Sequence, residues 1–255
     1  FRPGAPGLIS GLGVLVLVVI CRAEVLLVLA LVAEHRVQAL AAEGCRVAIC
    51  AREEPRLIEA ARSCAAVALR ADVQEPAGIE QVVAAVIESF GMLHILVNNV
   101  GGGGRWGPEA VEEAPAAVWR EVYQKNAGAA AHFTRLAIPF MRRQGWGRVV
   151  TVASIHGKEG GGRPWFAMAK AAEVALMKAL ARTPDLVRAG ITFNTVAPGA
   201  ILIPETGWAA EAEADPAAFA AKIARDFPLG RLGPPEEVAA VIVVLCSAPA
   251  RFVNG

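Results

Sequence analysis

The chain has 255 residues, of which 55% are hydrophobic and 19% charged, and its formal net charge is +1. This near-neutral balance excludes the basic footprint of a nucleic-acid-binding domain, and the four histidines and five cysteines lack metal-site spacings. We expect the scattered cysteines to be reduced thiols of a cytoplasmic protein. The length suits one α/β domain over residues 1–255.

An apolar segment near the N-terminus covers residues 12–33, and Arg22 and Glu24 divide it. A membrane-spanning helix needs ~20 largely uncharged residues, and charges at its middle are costly. Neither a basic region nor a small-residue cleavage site frames the segment as a signal peptide. We therefore predict a buried strand or helix here, with membrane attachment as the alternative.

From Gly44 onward, strand patterns rich in Val and Ile alternate with helix patterns. The predicted strands cover 46–50, 65–70, 93–98, 148–154 and 191–196. The predicted helices, several with an early proline, cover 54–63, 76–90, 115–143, 165–181 and 235–246. This alternation predicts a Rossmann-like α/β fold, a doubly wound parallel sheet with helices on both faces. Such sheets bind ligands at the carboxyl ends of their strands.

Two of these strand ends carry candidate ligand-binding residues. Arg52 ends the first strand, where an acidic residue would hold ribose hydroxyls and an arginine accommodates a 2′-phosphate. Arg52 therefore favours NADP(H) over NAD(H), although an ordinary surface arginine is the alternative. Asp72 and Val73 follow the second strand, and a lone aspartate there is also a common turn former.

The third strand ends in Asn98-Asn99-Val100-Gly101 and continues into a run of glycines. Glycines after a buried strand let a flat ligand approach the backbone, and an asparagine can hold the strand end through its side chain. A flexible glycine loop is the alternative interpretation. Asn126 lies midway along a predicted helix, which it suits poorly because its side chain competes for backbone hydrogen bonds.

The stretch 149–170 runs from an apolar strand ending near Ser154, through a glycine-rich loop, into an Ala-rich helix. Phe166 and Lys170 lie one turn apart on the same face of that helix. This arrangement resembles the short-chain dehydrogenase/reductase family, whose signature is Ser, a loop and Tyr-x-x-x-Lys. The resemblance spans 44–255 and includes the Asn-Asn motif at 98–101, the Asn-to-Gly motif at 194–199 and the entry to the last helix at 228–238.

The resemblance implies hydride transfer between NADP(H) and a small-molecule carbonyl or secondary alcohol. It implies that Ser154 binds the substrate and that Lys170 binds the nicotinamide ribose and lowers the pKa of the acid/base. It implies that Asn126 distorts its helix and anchors a proton-relaying water. Further cofactor contacts are implied for Asp72, Val73, Asn99, Val100, Gly101, Pro198, Gly199 and Ile201.

Two larger features also follow from the resemblance. Residues 202–227 correspond to a mobile lid over the substrate. The dimers and tetramers of the family imply a homodimer or homotetramer built through the helices at 115–143 and 165–181. Small residues on these helices would permit close helix approach, although both helices must also cover the sheet.

Phe166 stands where the family has its tyrosine, and phenylalanine has no proton to donate. The one tyrosine of the chain, Tyr123, lies on another helix. His156, two residues after Ser154, is a titratable side chain suited to neutral pH and a candidate substitute acid. A loop histidine without a role is the alternative. A second function therefore stays open. The chain would then be a catalytically silent protein that binds a nucleotide or serves as a partner subunit in an oligomer.

Two further departures concern the ends of the fold. Counting back from Gly44 places the glycines of the family's phosphate-binding loop on Leu27, Leu31 and Ala33, whose side chains would obstruct a pyrophosphate. The expected spacing occurs instead at Gly7, Gly11 and Gly13, so residues 1–43 are atypical. Residues 252–255 stand where the family's last edge strand is about to begin, and we expect the sheet to lack that strand.

Overall fold

The computed structural model describes residues 16–21, 24–29, 39–52, 54–203 and 207–255, with side chains described from residue 39 onward. Seven strands form one sheet in the order β4-β3-β1-β2-β5-β6-β7. In chain order they are β1 (Val16–Cys21), β2 (Glu24–Leu29), β3 (Arg46–Ala51), β4 (Val67–Arg70), β5 (Ile95–Asn98), β6 (Gly147–Val152) and β7 (Ile191–Val196).

The strand directions confirm the predicted doubly wound sheet. β2 lies parallel to β5, β5 to β6 and β6 to β7, while β3 lies parallel to β4 on the other side. The strand order reverses between β2 and β5, which is where ligands bind in such sheets. β1 differs from this pattern because it runs antiparallel to both β2 and β3.

β1 and β2 occupy the apolar segment that Arg22 and Glu24 divide, so of the two predicted alternatives, strand or helix, the structure has strand. Leu27 lies in β2, whereas Leu31, Ala33 and the glycines at positions 7, 11 and 13 lie outside the described residues. Within the described part of the chain, no helix is long and apolar enough to cross a membrane.

The helices flank the sheet. In chain order they are α1 (Glu54–Ser63), α2 (Pro76–Phe90), α3 (Ala116–Tyr123), α4 (Ala129–Gln144), α5 (His156–Glu159), α6 (Pro164–Ala181), α7 (Pro184–Arg188), α8 (Gly207–Ala214), α9 (Pro216–Asp226) and α10 (Pro235–Cys246). A π-helical turn, Gln124–Gly128, joins α3 to α4. The helix predicted at 115–143 therefore consists of α3 and α4, which are continuous through a π-helical turn. The predicted lid contains α8 and α9.

Each face of the sheet has its own apolar core. One core packs Ile79, Phe133 and Met177, from α2, α4 and α6, onto the sheet. The other packs Leu57 and Ile242, from α1 and α10, onto the opposite face. Neighbouring strand residues alternate between the two cores because successive side chains of a strand point to opposite faces. Both faces are covered, as in a parallel sheet made of apolar strands.

β7 is the last strand of the sheet within the described residues, and residues near the end of the chain contact its edge. Phe193 N donates to Asn254 Oδ1 at 2.8 Å, and Gly255 N donates to Phe193 O at 2.9 Å. Asn194 Nδ2 donates to Val253 O at 2.9 Å. These hydrogen bonds satisfy part of the open edge of β7.

The expectation that all five cysteines are reduced is wrong for Cys45, which is disulfide-bonded to a partner whose side chain lies outside the described part. Cys50 keeps its thiol and is buried in β3. The spacing of cysteines along a sequence does not show which of them lie close together in the fold. The disulfide of Cys45 could therefore not be predicted from the sequence.

Candidate active site

The loops that follow β6 and β7 are joined by backbone hydrogen bonds at the carboxyl edge of the sheet. Ala153 N donates to Val196 O at 2.8 Å, and Ile155 N donates to Pro198 O at 3.0 Å. These two bonds hold Ser154 beside the Pro198 loop. Ser154 Oγ accepts a hydrogen bond from His156 N at 3.2 Å, which orients the hydroxyl at the start of α5.

Lys170 lies on α6 and its side chain is 5% exposed. Its Nζ donates to Val152 O at 3.1 Å and to Glu173 Oε1 and Oε2 at 3.1 and 2.9 Å. An ammonium has three N–H donors, and these three acceptors match them. The strand end and the next helical turn therefore fix the position of the charge.

Glu173 is a site residue that the sequence reasoning missed. Its carboxyl is 1% exposed, and burial raises its pKa to about 7, against the lowering effect of the Lys170 charge. The available indication was an acidic residue one turn after Lys170 in an otherwise apolar, Ala-rich helix face. Positions three apart on a helix are neighbours, so the pair could have been anticipated.

Asn126 is 0% exposed and lies in the π-helical turn. Its Nδ2 donates to Val122 O at 2.7 Å and to Gly102 O at 3.0 Å, and its Oδ1 accepts from Gly102 N at 3.2 Å. The expected distortion of the helix is present, since the side chain takes hydrogen bonds that a regular helix would give to backbone groups. Asn126 thereby fixes the glycine loop that follows β5.

Gly101 lies where Asn126 and Lys170 converge. A Cβ at this position would lie 2.6 Å from Asn126 Oδ1 and 2.8 Å from Lys170 Nζ. Both groups are tied to the backbone by hydrogen bonds, so neither can move away cheaply. The absence of a side chain at Gly101 lets the two polar groups pack directly against the loop backbone.

We expect Gly101→Ala to lower the melting temperature, because overpacking a fixed site costs about 1–3 kcal/mol. Gly104→Ala is the matched control in the same loop, since its Cβ would meet the Phe166 ring at an ordinary contact distance of 3.5 Å. Thermal unfolding followed by circular dichroism compares the two variants. Equal melting temperatures would contradict the close approach at Gly101.

Phe166 lies on α6 with its ring centroid 5.9 Å from Lys170 Nζ. It packs on the apolar cluster of Val122, Trp165 and Ala169 and is only partly buried. The His156 ring meets the Phe166 ring edge to face, with 6.4 Å between centroids. The structure therefore brings the aromatic ring, the histidine and the lysine into one region.

His156 has a defined ring orientation. Its Nδ1 lies 2.9 Å from Gly160 O. A carbonyl oxygen only accepts, so Nδ1 carries a hydrogen and donates it. In the neutral imidazole Nε2 is then the unprotonated nitrogen that can take up and release a proton.

The ends of β3 and β4 hold the residues predicted for the nucleotide. Arg52 Nη1 lies 3.8 Å from Asp72 Oδ2, and both side chains are partly exposed. Asp72 Oδ1 also accepts from Gln74 N at 2.9 Å, so it forms a turn as well. The side chains of Val73 and Val100 lie in the apolar core.

Two consecutive asparagines end β5 and have different environments. Asn98 Nδ2 donates to Thr134 Oγ1 and Thr151 Oγ1, both at 3.1 Å, and so ties β5 to α4 and β6. Asn99 Nδ2 is buried without a hydrogen-bond partner in the described region. A buried amide without a partner is unusual in proteins. It fits a polar ligand beside the glycine loop.

Comparisons with known proteins decide the family. A family model described as Enoyl-(Acyl carrier protein) reductase matches residues 31–255. The D-beta-hydroxybutyrate dehydrogenase of Cupriavidus necator is 32% identical over 192 residues, which is 72% of this chain and 72% of that protein. The chain belongs to the short-chain dehydrogenase/reductase family. Members act on CH–OH or C=O groups, and this protein is an oxidoreductase of that kind.

Two further relatives of this short-chain dehydrogenase/reductase support the assignment. The 3-oxoacyl-acyl-carrier-protein reductase FabG of Escherichia coli is 31% identical over 188 residues, 73% of this chain and 72% of that protein. The structure of L-sorbose reductase from Gluconobacter frateurii, complexed with NADPH and L-sorbose, is 31% identical with a TM-score of 0.78. That match covers 87% of each chain.

The predicted lid of this short-chain dehydrogenase/reductase is tied to the site by charged side chains. Arg105, in the loop after β5, donates to Glu211 Oε1 of α8 at 2.9 Å. Lys222 of α9 donates to Glu211 Oε2 at 2.7 Å. Ile201, at the base of the lid, is held by a backbone bridge to Gly233. Gly199 is exposed, and a Cβ there would meet nothing within 4 Å.

Proposed function

We propose that this protein is an NADP(H)-dependent oxidoreductase that interconverts a carbonyl compound and a secondary alcohol. The observation that carries the proposal is the close approach of Asn126 Oδ1 and Lys170 Nζ to the backbone of Gly101, which a side chain at this position would block. A fixed positive charge therefore lies at the carboxyl edge of β5, and Ser154 follows the neighbouring strand β6. Family membership supports the same reaction.

The residues present fit a nicotinamide dinucleotide. Lys170 and the backbone at Gly101 would hold the nicotinamide half, with Pro198, Gly199 and Ile201 beside the ring. Asn99 Nδ2, buried without a partner among the described residues, would donate to the bound cofactor. Arg52, Asp72 and the backbone of Val73 and Val100 would hold the adenosine half. When bound, the cofactor supplies or accepts the hydride.

The chain's own residues then supply orientation and the proton. Ser154 Oγ would hold the substrate oxygen, and the Lys170 charge would stabilise negative charge that develops there. We take Phe166 to occupy the position of the family's tyrosine, so the proton must come from another group. His156 is the candidate proton donor. Its Nδ1 is hydrogen-bonded to Gly160 O, so Nε2 is the ring nitrogen that would transfer the proton.

A catalytically silent role is not favoured, because the buried Lys170 charge, Asn126 and Ser154 are all retained and each takes part in a hydrogen bond with backbone at the carboxyl edge of the sheet. We also propose that residues 1–255 form one nucleotide-binding domain and that residues 202–227 act as its lid. Arg105, in the loop after β5, donates to Glu211 of α8, and this contact supports a lid that covers a substrate beneath α8.

We expect NADPH to bind at least ~10-fold more tightly than NADH, since a charged hydrogen bond is worth about 1.5–3 kcal/mol. Arg52→Gln should remove that preference by weakening NADPH binding while leaving NADH binding close to the parent's. Arg62→Gln, on the exposed last turn of α1, is the matched control. Isothermal titration calorimetry measures all the affinities. Equal or tighter NADH binding by the parent would contradict the proposed cofactor.

We further propose a homodimer or homotetramer built through α3–α4 and α6. Tyr123 and Met168 are large apolar side chains on these helices and are 43% and 41% exposed. A stable copy-to-copy interface would cover them. Multi-angle light scattering at micromolar concentration should give a mass at least twice that of one chain, and a monomer would contradict the interface.

A further inference from the structure

Lys125 lies in the π-helical turn one residue before Asn126 and is 3% exposed. Within the described part of the chain, its Nζ contacts the face of the Trp106 ring, 4.4 Å from the centroid, and has no hydrogen-bond partner. Burying an ammonium without an acceptor is costly, and lysine is almost never fully buried unless it is paired. The packing of this turn alone does not account for the lysine, since an apolar side chain would fill the same space.

The surroundings of Lys125 indicate where its charge is directed. A Cβ at Gly102 would lie 3.5 Å from Lys125 Nζ, so the ammonium lies against the glycine loop after β5. The neighbouring Gln124 donates to Gln74 O at 3.4 Å, in the loop after β4. Lys125 is therefore positioned between two loops at the carboxyl edge of the sheet, near the reversal of strand order where doubly wound sheets bind ligands.

Arg52 is a second positive charge in the same neighbourhood. Burial and, to a smaller extent, the charge of Arg52 together lower the pKa of Lys125 to about 8, against the raising effects of Glu121 and Asp72. The repulsion between the charges of Lys125 and Arg52 destabilises the folded protein, so folding stability alone does not explain their positions. A shared anion would relieve the repulsion and give Lys125 its missing acceptor.

We infer that Lys125 is a phosphate-binding residue and that its ammonium, together with Arg52, binds a phosphate group of the dinucleotide at the Gly102 loop. The inference rests on the proposed function for the identity of the nucleotide. The phosphate is either the 2′-phosphate of NADP(H) or the diphosphate that NADP(H) and NAD(H) share. A lysine suits both, because its ammonium acts as a compact point charge toward phosphate oxygens.

The test is calorimetric binding of NADPH, NADH, adenosine 2′,5′-bisphosphate and inorganic pyrophosphate to the full chain. Lys125→Met keeps the length of the side chain and removes the charge, and Lys125→Arg keeps the charge. Lys178→Met, on the exposed side of α6, is the matched control. We expect Lys125→Met to weaken NADPH binding by at least ~10-fold, with Lys125→Arg closer to the parent and Lys178→Met unchanged.

The melting temperature distinguishes phosphate binding from a structural role. Because removal of an unpaired buried charge relieves a cost of folding, Lys125→Met without ligand should melt at or above the temperature of the parent. A lower melting temperature together with a loss of binding that Lys125→Arg does not rescue would overturn the inference and indicate a structural lysine. Unchanged affinity for NADPH and NADH in Lys125→Met would overturn it directly.

The pattern across the probes identifies the phosphate and separates this inference from the proposed function. A loss confined to NADPH and the bisphosphate assigns the 2′-phosphate, whereas an equal loss for NADPH, NADH and pyrophosphate assigns the diphosphate. If the parent binds neither nicotinamide nucleotide but binds pyrophosphate or the bisphosphate through Lys125, the proposed function fails and the phosphate site stands. If the parent binds none of the four probes, both fail.

Discussion

Replacing Phe166 with tyrosine is expected to raise the rate of carbonyl reduction ~10²–10⁴-fold, which corresponds to ~3–5 kcal/mol of barrier. The reason is that tyrosine adds one hydroxyl to a ring whose centroid already lies 5.9 Å from Lys170 Nζ. The ring is only partly buried, so the extra oxygen can be accommodated. Initial rates with NADPH and a panel of small ketones measure the change.

The controls separate the new hydroxyl from the existing histidine. Phe252→Tyr adds the same oxygen to a ring that is 98% exposed and should leave the rate unchanged. His156→Ala should abolish the parent's activity if His156 donates the proton, and should matter much less once Phe166→Tyr is present. No gain in Phe166→Tyr, in a protein that binds NADPH, would contradict the proposed position of Phe166 in the site.

Most of the sheet and its helices were predictable because the determinants are local in sequence. α1, α2 and α10 begin and end where the prolines and the apolar patterns predicted. Fully buried parallel strands show as short apolar runs, and this holds for β5 and β6. The antiparallel insertion of β1 was not predictable, because the direction of pairing depends on residues that are distant in the chain.

The candidate site was predicted in part. Ser154, Asn126 and Lys170 came from motif spacing, and the structure brings them to one edge of the sheet. Lys125 and Glu173 were missed, because a charged residue in a helix is usually exposed to solvent and nothing in a sequence states that one is buried. Val73 was placed beside the cofactor by analogy, and that role stays a prediction because its buried side chain leaves contacts of its backbone untested.

The buried pair of Lys170 and Glu173 should dominate the stability of the site. Removing one partner of a buried ion pair costs about 3–5 kcal/mol, because the other charge is left uncompensated. Lys170→Met and Glu173→Met should each lower the free energy of unfolding at pH 8 by that amount. The double variant should be close to the parent or more stable by up to ~4 kcal/mol, since apolar side chains of similar volume can replace such a pair.

Urea unfolding of the four proteins gives the coupling energy between the two residues. The exposed pair of Arg225 and Asp226 serves as the control, because solvent screens it and its removal should change stability little. Independent, additive losses in the two single variants would contradict a coupled pair. In that case Lys170 would depend mainly on its hydrogen bond to Val152 O for its position.

The same pair makes the stability of the protein depend on pH. Burial raises the pKa of Glu173 from its usual value of 4.5 to about 7, so the folded protein binds more protons than the unfolded chain between these values. The stability that this carboxyl contributes is present below pH ~4.5 and is lost as the pH rises through ~7. Relative to Glu173→Gln, the unfolding free energy of the parent should fall by about 3 kcal/mol between pH 4.5 and pH 8. If the difference in unfolding free energy between the parent and Glu173→Gln does not change between pH 4.5 and pH 8, Lys170 keeps Glu173 ionised over this range. The ion pair would then be permanent rather than titratable.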